Sequence, residues 1–138
     1  MSDSCVFCNL IRNKKEIGED SIISETEGFL AVLDRFPVSD GHILLISKKH
    51  LVDVTEVDNE SWLGLLSLLK TLISRVRNRL NASNFNIVNN IGKLAEQSIF
   101  HLHIHLIPKY KKNEGFSWKV EKKGQLRNLN EVFRKLKM

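Results

Sequence analysis

From Asp58 to Leu80 the chain repeats apolar residues at helical intervals, and this segment constrains the fold more than any other. Trp62, Leu65, Leu66, Leu69, Ile73, Val76 and Leu80 share one face, while Lys70, Arg75, Arg77 and Arg79 favour the rest of the surface. Asp58 or Asn59 suits the cap. Glu60 near the start and arginines near the end complement the helix dipole, and Asn81 with the polar residues after it supplies a stop. The spacing therefore predicts one long amphipathic helix against which the other elements must pack.

On either side the period shortens. "SIISET" and "FLAVLD" read as strands joined by Glu27-Gly28, and "HILLIS" at 42–47 reads as a third after the turn-rich "FPVSDG". "FNIV", "SIFHLHIHLIP" and "FSWKV" read as further strands. Residues 4–12, "SCVFCNLIR", and the terminal "LRNLNEVFRKLK" read as short helices, with "NKKEIGED" a polar loop. Strands grouped before and after one long helix predict an α+β fold with a mainly antiparallel sheet and short terminal helices. At 138 residues, with no repeat or linker, the chain is expected to form a single domain over 1–138.

"WLGLLSLLKTLI" is interrupted by Lys70 and falls short of the ~20 apolar residues a membrane span needs, and "MSDSCVFC" lacks a secretory pattern. A cytoplasmic protein without a membrane anchor is expected. The net charge of +5 implies attraction to anions, but the basic residues are scattered and the densest run, "KYKK" at 109–112, is short. Phosphorylated small molecules and nucleic acid are both compatible with it.

His101, His103 and His105 alternate in one predicted strand and use three of the chain's five histidines. Alternation puts the three imidazoles on one face, with neighbours roughly 7 Å apart along the backbone, and sends Leu102, Ile104 and Leu106 to the other. A histidine-rich solvent face is the bland alternative. A metal site is another, because histidines at i and i+2 can reach one ion. Cys5 and Cys8 alone form a weak zinc signal that two histidines would have to complete.

Read with "CVFCNLI" near the start, "LDRFPVSDGHILLISKKH" at 33–50 and "NIGKLAEQSIFHLHIHLIP" at 90–108, the motif "HLHIHLI" resembles the histidine triad superfamily of nucleotide hydrolases and transferases. The resemblance spans most of the chain and implies a HIT-like fold. It makes His103 the nucleophile that attacks the α-phosphorus of a purine nucleotide and becomes transiently nucleotidylated. It makes His105 a phosphate contact and His42 a support for the cluster. Gln97 and Ser98 correspond to positions that contact phosphate or the leaving group, Asn90 to a phosphate-side amide, Asp34 to a ribose-binding carboxylate and Phe7 to an apolar residue beside the base. Members with C-x-x-C hold a structural zinc, which implies Cys5, Cys8, His50 and His101 as its ligands here. A homodimer is the family's usual state.

The implied activity is hydrolysis of nucleoside phosphoramidates or dinucleoside polyphosphates, releasing a nucleoside monophosphate. His105 favours this branch over the hexose-phosphate uridylyltransferases, where glutamine is expected. Hydrolysis of adenylated nucleic-acid ends, suggested by the positive charge, is weakened by the missing extra DNA-binding domain. A non-enzymatic nucleotide-binding adaptor is the alternative from another class. It is motivated by Glu96, where glycine is usual, and by Arg35, where an aliphatic residue is common.

Overall fold

The computed structural model describes residues 4–14 and 21–137. Its elements are α1 (Val6–Arg12), β1 (Ile22–Glu25), β2 (Phe29–Leu33), β3 (Ile43–Ser47), α2 (Asn59–Leu80), β4 (Asn84–Val88), β5 (His103–Lys109) and α3 (Leu129–Leu136). Short 3₁₀ turns occupy Val54–Glu56 and Lys93–Ala95. The architecture is α+β: five strands in the order β1-β2-β3-β5-β4, every described pairing antiparallel.

The long helix begins and ends where its caps dictate. Asp58 accepts a hydrogen bond from the Ser61 N–H at 2.8 Å, satisfying one of the first-turn donors, and Asn81 leaves the helix in the left-handed region at φ 56°. Its buried face differs in part from the predicted one. Leu65, Leu68, Leu69, Leu72 and Val76 are buried, with Trp62 and Ile73 packed at the margin, whereas Leu66 and Leu80 are exposed. Several leucines were available to continue the stripe, and those packed in the core with β2, β3 and β5 are the ones buried.

β2 and β3 are apolar on both faces because both faces are covered. On one side Phe29, Ala31, Ile43 and Leu45 meet α2 together with Ile104 and Leu106; on the other Leu30, Val32, Leu44 and Ile46 form a smaller core with Phe7 of α1. β5 pairs with β3 so that His103 lies opposite Ile46 and His105 opposite Leu44. The two histidines therefore share the α1 face, while Ile104 and Leu106 point toward α2.

Two predicted strands are corrected. "SIFHLHIHLIP" forms a strand only from His103: the Leu102 carbonyl still accepts from the Ser47 N–H at the end of β3, but the Leu102 N–H turns away from the ladder to donate to the Leu51 carbonyl. "FSWKV" forms no strand. Trp118 and Val120 stand exposed there, and among the described residues no strand lies alongside to complete a ladder. Positions 15–20 of the expected polar loop lie outside the described residues. Among those described, no helix is long and apolar enough to cross a membrane.

Candidate active site and metal centre

Cys5 caps α1, its sulfur accepting from the Cys8 N–H at 3.5 Å, so one helical turn brings both thiols to the same side. His50 follows β3 and His101 precedes β5, which delivers them to that helix end from adjacent strands. Cys8 Sγ lies 3.1 Å from His50 Nδ1, and His101 Nδ1 lies 3.4 Å from Cys5 Sγ and 3.6 Å from Cys8 Sγ. All four donor atoms fall within 4.8 Å of one another.

The tautomer of His101 follows from its other nitrogen. Nε2 sits 2.7 Å from the Ser47 carbonyl, which can only accept, so Nε2 carries the proton and Nδ1 presents its lone pair to the cysteines. Burial pushes the His101 pKa down and keeps the ring neutral, as a ligand must be. Bonds of ~2.3 Å to sulfur and ~2.0 Å to nitrogen give tetrahedral edges of roughly 3.4–3.8 Å, and the observed separations are close to these. Two thiols and two imidazoles can thus hold a metal ion with no position left open.

The remaining histidines form a second group. His103 Nδ1 lies 2.8 Å from the His101 carbonyl and must donate to it, which leaves Nε2 unprotonated with an available lone pair. His103 and His105 stand with ring centroids 5.3 Å apart. The Val38 N–H donates to His42 Nδ1 at 3.3 Å, so the neutral His42 ring carries its proton on Nε2. That N–H faces His105 Nδ1 at 2.9 Å. His105 consequently carries its own proton on Nε2 and offers it as a donor. Asp34 adds negative charge, with Oδ2 3.4 Å from His42 Nε2 and Oδ1 accepting from the Phe36 N–H at 2.8 Å. Burial lowers the pKa of both imidazoles against the opposing pull of Asp34, and the His105 pKa falls to about 4 with help from the positive charge His103 and His42 can carry. Both rings are neutral near pH 7.

The predicted row of three imidazoles is therefore divided. His103 and His105 belong to the strand face, while His101 lies before the strand with its ring 5.0 Å from His50. Phe7 is buried, its ring edge-on to His103 at 5.0 Å and to His101 at 5.7 Å. In the loop after β4, Gln97 is buried: its Oε1 accepts from the Gly92 N–H at 2.8 Å, and its Nε2 donates to the carbonyls of Val52 at 2.9 Å and Ile99 at 3.3 Å. Its amide thus braces the loop. Asn90 Nδ2 donates to the Glu96 carbonyl at 3.3 Å, Ser98 is exposed, and Glu96 is exposed at φ 65°.

Sequence reasoning missed Asn89, whose Nδ2 donates to the His103 carbonyl at 3.0 Å and ties the end of β4 to the strand carrying that histidine. It also missed the Ser47 and His101 carbonyls that set tautomers. Main-chain acceptors have no residue signature, and only the adjacent "NN" marked Asn89 as a polar strand end.

This combination of sheet, histidine pair and thiol–imidazole cluster defines a histidine triad fold. Residues 14–112 match the HIT domain, and the chain belongs to the HIT domain family. It is 36% identical over 132 residues to an uncharacterized HIT-like protein of Mycoplasma genitalium, covering 96% of this chain and 91% of that one. It is 35% identical over 106 residues to the adenosine 5'-monophosphoramidase hnt1 of Schizosaccharomyces pombe, covering 77% of this chain and 74% of the relative. A crystal structure of a Zn-bound histidine triad family protein from Mycobacterium smegmatis superposes with a TM-score of 0.68 at 35% identity, over 80% of this chain and 78% of that one.

Proposed function

We propose that this chain acts as one HIT-like domain that hydrolyses purine nucleoside phosphoramidates or dinucleoside polyphosphates at the α-phosphorus through His103. The observation that carries the reading is the Nδ1–H···O=C bond from His103 to His101, which leaves Nε2 free to attack. As the P–Nε2 bond forms, the bond to the leaving group breaks with its electron pair, an amine taking up a proton from solvent as it departs. The ring becomes positive, the His101 carbonyl stabilises the Nδ1–H, and a proton is returned to solvent when water attacks in the second step. Water then attacks phosphorus, the P–Nε2 bond breaks, and the nucleoside monophosphate leaves. The Nε2–H of His105, held outward by His42, donates to a phosphoryl oxygen without adding a titrating group near pH 7. Asp34 is assigned to the ribose, Phe7 to the base side, and Asn90, Gln97 and Ser98 to the phosphate loop, with Gln97 acting through the loop backbone it braces. The reaction needs no catalytic metal.

Zinc is assigned to Cys5, Cys8, His50 and His101 on the fit of their separations to a tetrahedral site, and its role is to tie α1 to the sheet. A homodimer is supported by the apolar surface that Ile87 exposes on the edge strand β4 and that Leu63 and Leu66 expose on α2. A cytoplasmic location completes the reading.

The test is AMP release from an adenosine phosphoramidate and from a diadenosine polyphosphate by wild type and His103→Ala. A loss of at least ~10³-fold is expected. Equal rates would remove the nucleophile assignment, and nucleotide binding without turnover in wild type would favour the adaptor. Elemental analysis should find about one zinc per chain, lost in Cys8→Ala. Light scattering should give twice the 15.9 kDa chain mass.

A further inference from the structure

We propose that Phe7 is a positioning residue for His103, and that the Cys5, Cys8, His50 and His101 cluster sets the nucleophile's orientation as well as fastening α1. The inference rests on His103 being the nucleophile. An imidazole on a strand has a broad second side-chain torsion, so a ring that must aim one lone pair needs restraint from more than its backbone. His105 meets one side of the His103 ring at 5.3 Å, and two further restraints reach it through the metal cluster.

The first is the His101 carbonyl. His101 is fully buried, and its ring is fixed at both nitrogens, by the Ser47 carbonyl at 2.7 Å and by the cysteine sulfurs at 3.4 and 3.6 Å. Its own carbonyl, two residues from the nucleophile, receives the His103 Nδ1–H at 2.8 Å. Displacing the His101 ring displaces the acceptor that selects the His103 tautomer. The second restraint is Phe7. It lies between the two cysteines on α1, is 6% exposed, and meets the His103 ring edge-on at 5.0 Å with an interplanar angle of 62°. That distance is within the range of a directed aromatic contact. The same phenyl ring meets His101 at 5.7 Å and 81°, so it fills the angle between ligand and nucleophile. Clamping Cys5 and Cys8 onto the histidines fixes the helix turn that carries Phe7.

The experiment uses ¹⁵N-labelled full-length protein, zinc-loaded, as wild type, Phe7→Leu and Phe7→Tyr. Zinc content is measured by elemental analysis, the His103 ring nitrogens by long-range ¹H–¹⁵N correlation, and kcat and KM with an adenosine phosphoramidate. Wild type should show one His103 tautomer, protonated on Nδ1. Phe7→Leu should keep its zinc, show averaged His103 nitrogens, and lose about tenfold in kcat at saturating substrate, the pattern of a misaimed group, separate from any rise in KM through its base-side contact. Phe7→Tyr, which keeps the ring edge, should restore both. A zinc-loaded Phe7→Leu with the wild-type ring pattern and kcat overturns the proposal. Should Phe7→Leu fail to fold or to hold zinc, wild type stripped by a chelator decides. Loss of the single tautomer while the Ile104 and Leu106 amide signals persist supports the coupling, and an unchanged His103 pattern overturns it. His103→Ala with full turnover would refute the nucleophile assignment separately, since the ring-nitrogen comparison does not depend on turnover.

Discussion

Replacing Glu96 by glycine should stabilise the protein, although most substitutions destabilise. Glu96 closes the 3₁₀ turn Lys93–Ala95 at φ 65°, ψ 22°, inside the left-handed region. There a β-carbon crowds the following carbonyl at a cost of ~1–2 kcal/mol, which glycine avoids. Glycine's greater freedom in the unfolded chain takes back about 0.5–1 kcal/mol. The surplus is on the order of 0.5–1 kcal/mol, or a Tm increase of roughly 2–5 °C for a chain of this size. No side-chain contact offsets the gain: Glu96 is exposed, and its described bonds are main-chain ones, its N–H to the Lys93 carbonyl at 3.1 Å and its carbonyl from Asn90 Nδ2 at 3.3 Å. Thermal unfolding under saturating zinc measures the effect, with two controls. Glu96→Ala keeps the β-carbon and should leave Tm nearly unchanged. Glu96→Gln keeps the strain, removes the charge, and should lower KM for an anionic nucleotide by no more than about threefold, because an exposed charge is screened. A Glu96→Gly protein no more stable than Glu96→Ala would refute the strain argument.

Leu72→Ala should cost about 2–5 kcal/mol in urea unfolding, because Leu72 is fully buried between α2 and the sheet, whereas Leu66→Ala, from an exposed position of the same helix, should cost less than about 1. Similar losses at both would contradict the observed helix face. His105 titrates near 6.5 when unfolded and at about 4 when folded. Between those values the unfolded chain binds more protons, so the His105 contribution is fully present above pH 6.5 and is lost as pH falls toward 4. After discounting for partial exposure, wild type should lose on the order of 1 kcal/mol more than His105→Gln between pH 7 and pH 5. Identical pH slopes would show that His105 is not held neutral by burial against His42 and His103.

The parts of the site legible in the sequence were those whose residue type carries the chemistry. Two thiols at one-turn spacing and three alternating histidines are rare enough to single out the atoms that end up in the thiol–imidazole cluster and on the strand of His103 and His105. The partners that side chains find across the fold were not legible, even where the residue itself, as with Gln97 and Phe7, was singled out. Gln97 turned inward to brace a loop, Phe7 turned its edge to an imidazole, and Asn89 reached the carbonyl of a residue fourteen positions away. Nothing local to any of the three predicts its partner.

The same division holds for the fold. The helix Asn59–Leu80 was determined by the sequence itself, since its caps and periodicity are local interactions. The apolar runs that became β1 to β4 were likewise determined locally, as preferences for extended backbone. Tertiary structure alone decided where strands stop, because a strand exists only beside a partner. "FSWKV" found none, and the histidine segment lost its ladder at Leu102, whose N–H turned to Leu51. That last turn removed His101 from the face of His103 and aimed it at Cys5 and Cys8. It also brought the His101 carbonyl under the His103 ring, where it selects the tautomer that leaves Nε2 unprotonated.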